Sequence, residues 1–190
     1  MESEINDLIK QIYTGKKYPD ESVFVVNEGA ARNVFETIRQ NCSTNNVEFE
    51  ICADCNYCYY ILLSESKTIA LPPANRPVSK ENRRAWIRRY GTKYYTMRIV
   101  LSKLAEYSLI YWSKYSWNFF TESQKISLVP PDETWEKISV KVHAILSQMH
   151  IKILPSSLIN KHYKIEFQSK ILGVHKSPTA RELLFCEELH

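Results

Sequence analysis

The sequence predicts an α+β fold with a mainly α-helical body and a small C-terminal β-rich module. Three observations support this class. Apolar residues recur at helical spacing near the N-terminus and in the middle of the chain, a Pro-Pro pair at 130–131 interrupts it, and alternation of apolar and polar residues follows. We therefore divide the 190 residues into a helical body at 1–128, including a Cys-rich strand-like stretch at 47–71, and a β-rich module at 129–190.

Two amphipathic helices are expected to begin the body. The first covers residues 3–13, with an apolar face formed by Ile5, Leu8, Ile9 and Ile12. Asn27 is a suitable N-cap for a second helix that runs to Asn41. Its inward face is predicted to contain Ala30, Val34, Phe35 and Ile38.

The Cys-rich stretch at 47–71 alternates between apolar and mostly polar residues up to position 60, which is typical of a strand or a hairpin. Cys52, Cys55 and Cys58 have the CxxC spacing that suits a zinc knuckle, but a structural zinc site takes four ligands and no second pair is visible. Buried thiols are the simpler interpretation. We therefore expect no metal or other cofactor, with these three cysteines as the candidates if zinc does bind.

Positive charge is concentrated in residues 76–98. The chain carries a net charge of +4, whereas this segment alone has eight basic side chains and a single acidic one, Glu81. Such a segment can bind nucleic acid through basic and aromatic side chains, can form a protein interface, or can be a solvated helix whose rings pack in the core. The residues predicted to contact an anion or a partner protein are Arg83, Arg84, Trp86, Arg88, Arg89 and Tyr90.

The most apolar part of the chain, residues 92–112, is expected to be a buried helix. Its spacing predicts one stripe that contains Met97, Leu101, Leu104 and Tyr111. This stripe carries more apolar surface than we expect the remaining elements to cover, so these four residues are predicted to form a subunit interface. The segment is too short and too charged to span a membrane.

The residues after the Pro-Pro pair predict the small module. Ile138 to Ala144 alternate as a half-exposed strand, Tyr163 to Phe167 as a second one, and residues 170–174 are a candidate third. Ser177-Pro178 is a helix start, so a final helix is expected at 179–189.

No catalytic motif is visible. The four glycines are too widely spaced for a GxGxxG or P-loop motif, and neither HExxH nor GxSxG occurs. We therefore expect a protein that is not an enzyme. The N-terminus has no secretory signal, and the five cysteines are interpreted as reduced thiols of an intracellular protein.

Four segments carry a resemblance to a known family. They are Leu8-Ile9-Lys10 with Asn27–Glu36, then Asn82-Arg83-Arg84, then Leu128–Pro131 leading into Ile138–Val142, and finally Lys176-Ser177 with Cys186–Leu189. In their order and spacing the chain resembles subunits of the GINS complex, the scaffold of the eukaryotic replicative helicase. It is most similar to the subunit type whose β-rich module is C-terminal.

The resemblance implies a non-catalytic scaffold subunit in the nucleus. Such a subunit packs against sister subunits of a hetero-tetramer through long helices, and its small module docks on other components of the replicative helicase, with DNA as a further contact. Two alternatives remain open from the residues themselves. One is a free-standing adaptor that binds nucleic acid through residues 76–98, and the other is a small regulator stabilised by zinc at the three cysteines.

Overall fold

A computed structural model describes residues 2–13, 24–42, 46–51, 57–64, 93–117, 122–165, 167–169, 173–175 and 177–185 of the protein. These residues contain five helices and eight strands. The helices are α1 (Glu2–Tyr13), α2 (Glu28–Asn41), α3 (Glu133–Gln148), α4 (Ser156–Ile159) and α5 (Ala180–Phe185). The strands are β1 (Asn46–Ile51), β2 (Cys58–Ser64), β3 (Lys93–Ser102), β4 (Tyr107–Trp117), β5 (Glu122–Ser127), β6 (Lys152–Ile153), β7 (Phe167–Ser169) and β8 (Gly173–His175).

A six-stranded mixed sheet lies at the centre of the described structure. Strands β1 to β5 follow chain order with every neighbouring pair antiparallel, whereas β6 pairs in parallel with the beginning of β4. β7 and β8 form a separate antiparallel pair. The predicted fold class, a mainly helical body with a small C-terminal β-rich module, is therefore wrong.

The expected buried helix at 92–112 is instead the central pair of strands, β3 and β4. Ile99 lies opposite Ile110 and Val100 lies opposite Leu109, and all four side chains are buried. Because both faces of this pair are covered, the residues lose the apolar–polar alternation of a half-exposed strand, and a continuous apolar run of this kind cannot be distinguished from a buried helix by period. The content of β-branched and aromatic residues favours strands.

Each face of the sheet is covered by helices of its own. Helices α2 and α3 pack on one face, where the core includes Ile61, Ile99 and Trp112. Helices α1, α4 and α5 pack on the other, where it includes Val100 and Leu109. The two cores draw on residues from both halves of the chain, so the described residues contain no separate helical body.

Helices α1 and α2 are confirmed, including the N-cap, since the Asn27 side chain accepts a hydrogen bond from the backbone N–H of Ala30 at 2.9 Å. Ala30 itself is exposed and Ala31 takes the buried position. The expected hairpin is confirmed as well: β1 and β2 are antiparallel neighbours.

The predicted strand from Ile138 to Ala144 is wrong, because these residues belong to helix α3. The carboxylate of Asp132 caps this helix by accepting a hydrogen bond from the backbone N–H of Trp135 at 3.0 Å. The buried face has helical rather than strand period and contains Trp135, Ser139, Val142, Ile145 and Leu146.

The end of the described chain packs against its beginning. The Tyr13 hydroxyl of α1 donates a buried hydrogen bond of 2.6 Å to the backbone carbonyl of Leu183 in α5. Thr179 and Glu182 form a reciprocal capping box at the start of α5, which confirms the predicted final helix at its N-terminal end. No helix in the described ranges has the length and apolar character needed to cross a membrane.

Candidate binding groove

The six basic and aromatic residues predicted to contact an anion or a partner protein lie outside the described residues. Arg83, Arg84, Trp86, Arg88, Arg89 and Tyr90 all fall between 65 and 92. At the end of the same segment, Arg98 lies on β3, where its guanidinium donates a hydrogen bond of 3.1 Å to the Tyr111 hydroxyl. The anion-binding role predicted for the segment stays a prediction.

Of the three zinc candidates, Cys52 and Cys55 also lie outside the described residues. Cys58 is fully buried in β2 as part of the apolar core. The described ranges hold no group of three or more potential metal ligands. Cys42 is buried at the end of α2, and burial raises the pKa of its thiol above the ordinary value.

The four residues predicted as a subunit interface lie inside the chain's own core. Met97 is fully buried, and Leu101, Leu104 and Tyr111 are each 1% exposed. They also do not share one surface, since Met97 and Leu101 belong to the core under α2 and α3 and the other two to the core under α1. The argument that these side chains need a partner chain is therefore wrong, because the second face of a sheet is covered by helices that the sequence did not place there.

A first cavity, which we call the lysine pocket, lies at β3, β4 and β5 and has a volume of about 450 Å³. It lies over one row of side chains across three strands, because Tyr95 of β3 is opposite Lys114 of β4, and Lys114 is opposite Lys125 of β5. Its lining residues are Tyr95, Trp112, Lys114, Lys125, Ile126, Ser127, Val129, Pro130 and Pro131.

A second cavity of about 380 Å³, which we call the helix pocket, lies along α3. One wall is a helical stripe at i, i+3, i+4 and i+7, and the others come from β4, β6, α4 and the chain before α3. Its lining residues are Ile110, Trp112, Leu128, Pro130, Glu136, Ser139, Val140, His143, Ile153, Leu154, Pro155, Ser156 and Ile159. Desolvation lowers the pKa of the His143 imidazole below its ordinary value, which favours the neutral form.

Trp112 and Pro130 line both pockets, so the two cavities adjoin at these residues, and we refer to the two pockets together as the groove. Trp112 is 4% exposed, and among the described residues its buried indole N–H has no hydrogen-bond acceptor. A buried donor without an acceptor costs about 1–3 kcal/mol, so a native protein seldom retains one without a reason.

The groove also holds two exposed apolar side chains. Val129 is 67% exposed and lines the lysine pocket, and Val140 is 65% exposed and lines the helix pocket. In the described residues, four large apolar side chains are exposed, the other two being Val25 at 56% and Ile51 at 46%. Two of the four therefore line the two adjoining pockets.

Sequence reasoning missed the residues that form this groove. Lys114 and Lys125 are far apart in the chain and become neighbours only through the β4–β5 register. The one available signal was the basic and aromatic composition of residues 112–125, which is spread too thinly to mark a motif. Comparisons with protein-family models, curated proteins and solved structures give no match to this chain.

Proposed function

We propose that the protein is a non-catalytic binding module that holds an extended segment of a partner protein in the groove formed by the lysine pocket and the helix pocket. The observation that carries the proposal is the exposure of Val129 and Val140 in adjoining pockets. Exposed apolar side chains in a concave surface are stabilised when a partner removes them from water.

The shape of the groove favours an extended peptide over a flat protein surface. Two cavities that meet at Trp112 and Pro130 can each receive a side chain of one bound segment. Extended peptides present side chains at regular intervals, which suits two adjoining cavities.

This proposal keeps the interaction role expected from the sequence and moves it to different residues. The scaffold role in a GINS-type nuclear complex stays a prediction, and the helical body that the resemblance implied is wrong. Nucleic-acid binding through residues 76–98 also stays a prediction, since most of that segment lies outside the described residues.

The experiment is a peptide-display selection against the purified chain. The probe is a library of random peptides of about 12 residues, which spans roughly 40 Å when extended and is long enough to cross both pockets. Enriched peptides are then synthesised with a fluorescent label, and their dissociation constants are measured by fluorescence anisotropy. We expect Val129→Asp and Val140→Asp each to weaken binding by about tenfold or more, because a carboxylate in the groove must lose its hydration when the peptide binds.

Val25→Asp is the matched control, because Val25 is 56% exposed and lines neither pocket. This variant carries the same change in charge and should bind the peptides like the wild type. The proposal is refuted if the selection enriches no peptide, or if the groove variants and the Val25 variant bind the enriched peptides equally well.

A further inference from the structure

We propose that the lysine pocket is an anion subsite, so that the segment bound in the groove carries an acidic or phosphorylated side chain at this end. The inference rests on the proposed function and specifies the chemistry of the partner. The basis of the anion subsite is the pair formed by Lys114 and Lys125.

The β4–β5 register places the two lysines directly opposite one another. The Cβ atoms of directly opposed residues are about 4.5–5.5 Å apart, and like charges in this arrangement destabilise the sheet. Within the described part of the chain, neither lysine forms an ion pair. An anion between the two ammonium groups would turn this repulsion into attraction.

The surroundings of the lysines restrict where they can be neutralised. Lys114 is half-buried, with its ammonium 5.8 Å from the centre of the Tyr95 ring, whereas Lys125 is exposed. Trp112 lies two residues from Lys114 on the same strand and therefore on the same face of the sheet, where it lines the same pocket. Two cations thus line a cavity whose other lining residues are mostly apolar or aromatic, which is the composition of a site for an anionic group on a larger ligand.

Charge also distinguishes the two ends of the groove. Glu136 is the acidic side chain among those that line the helix pocket, and both lysines line the other pocket. An anionic side chain is therefore attracted to one end and repelled from the other. This polarity, together with the exposed valines, favours an acidic peptide over a nucleic acid, whose phosphates would continue along the groove towards Glu136.

A carboxylate and a phosphate group would both fit this description. Lysine binds either as a point charge and does not need the two-pronged geometry that arginine gives. The shared chemistry is an oxyanion on a peptide side chain, and the experiment distinguishes its two sources.

The test runs the peptide-display selection in parallel on three forms of the chain: wild type, Lys114→Gln/Lys125→Gln, and Lys137→Gln/Lys164→Gln. The last pair is the matched control for net charge, because both lysines are exposed and line neither pocket. We expect Asp and Glu to be enriched on the wild type and the control and not on the groove variant. For one enriched peptide, the groove variant should raise the dissociation constant about five- to twentyfold, and added salt should reduce the difference.

Synthetic forms of that peptide then identify the anion. The acidic residue is kept, replaced by phosphoserine, or replaced by glutamine. The form that binds most tightly shows whether the subsite prefers a carboxylate or a phosphate group. Enriched peptides that depend on Val140 but show no acidic preference, or a glutamine form that binds as well as the acidic one, would overturn the anion subsite and leave the proposed function intact. Absence of any peptide that depends on Val140 would remove both.

Discussion

Replacing Leu101 with alanine distinguishes a core residue from an interface residue. Leu101 is 1% exposed on β3, opposite Tyr59 of β2 and Ser108 of β4. Alanine removes three buried carbon atoms, which at about 0.8 kcal/mol per buried methylene gives roughly 2.4 kcal/mol of lost transfer free energy. The cavity left behind adds to this, so we expect the free energy of unfolding to fall by about 3 kcal/mol, within the measured range of 2–5.

The measurement is urea unfolding of the isolated chain, monitored by far-ultraviolet circular dichroism. The free energy of unfolding in water is obtained from the midpoint urea concentration and the slope of free energy against urea concentration. In a thermal scan the same loss should lower the melting temperature by roughly 6–12 °C for a chain of this size. Val140→Ala is the control, because Val140 is 65% exposed and its truncation should change the free energy of unfolding by less than about 0.5 kcal/mol. A Leu101→Ala chain as stable as the wild type, with improved solubility, would refute the burial of this strand and favour the subunit interface expected from the sequence.

Three further predictions follow from local contacts. Asp132→Ala removes the carboxylate that accepts a hydrogen bond from the Trp135 N–H, and it should lower the free energy of unfolding, measured in urea, by about 1 kcal/mol. Asp132→Asn should keep most of the wild-type stability, because the Asn side-chain oxygen also caps a helix. Lys152 holds the pKa of Glu4 below its ordinary value of 4.5, so this ion pair stabilises the fold above that pH and is lost as the pH falls through the lowered pKa. Glu4→Gln should therefore flatten the acid limb of a plot of melting temperature against pH, and an unchanged limb would contradict the contact. The Cys42 thiol is buried with a raised pKa and should react with a thiol reagent only after denaturation, which absorbance can follow; rapid labelling in the native state would show that it is accessible.

Local signals in the sequence were sufficient for the elements at the two ends of the described chain. The apolar face of α1, the Asn27 cap of α2 and the Ser177-Pro178 start before α5 are each encoded by residues within one or two turns. The β1–β2 hairpin was also predicted, because β1 is an edge strand whose side chains remain partly solvated, so its sequence keeps the alternation.

The central strands and α3 could not be recovered in the same way. β3 and β4 are covered on both faces, and the burial that makes them the core removes the period by which strands are recognised. In α3, the alternating residues at 138, 140, 142 and 144 imitate a strand over seven positions, while the helical period is visible only from Trp135 to Leu146. Asp132 was the local clue to the helix, and the Pro-Pro pair beside it was interpreted as the boundary between the body and the small module.

The groove depends on strand register, which is a property of the whole sheet. Lys114 and Lys125 are neighbours because β4 and β5 pair in this register, and Trp112 is at the junction because β6 pairs with the beginning of β4 whereas β5 pairs with β4 from Trp112 onwards. No short window of the sequence contains this information. A prediction of the site therefore requires the topology first.

The hydrogen bond from the Tyr13 hydroxyl to the Leu183 carbonyl joins positions 170 residues apart. During synthesis on a ribosome, α1 would emerge early, whereas α5, against which it packs, would emerge only after nearly all described residues have been translated. For that interval one side of the sheet would lack part of its cover, and the exposed strands would be open to aggregation or to a chaperone. Expression at reduced temperature or with added chaperone should therefore raise the yield of folded protein more than a change of buffer does.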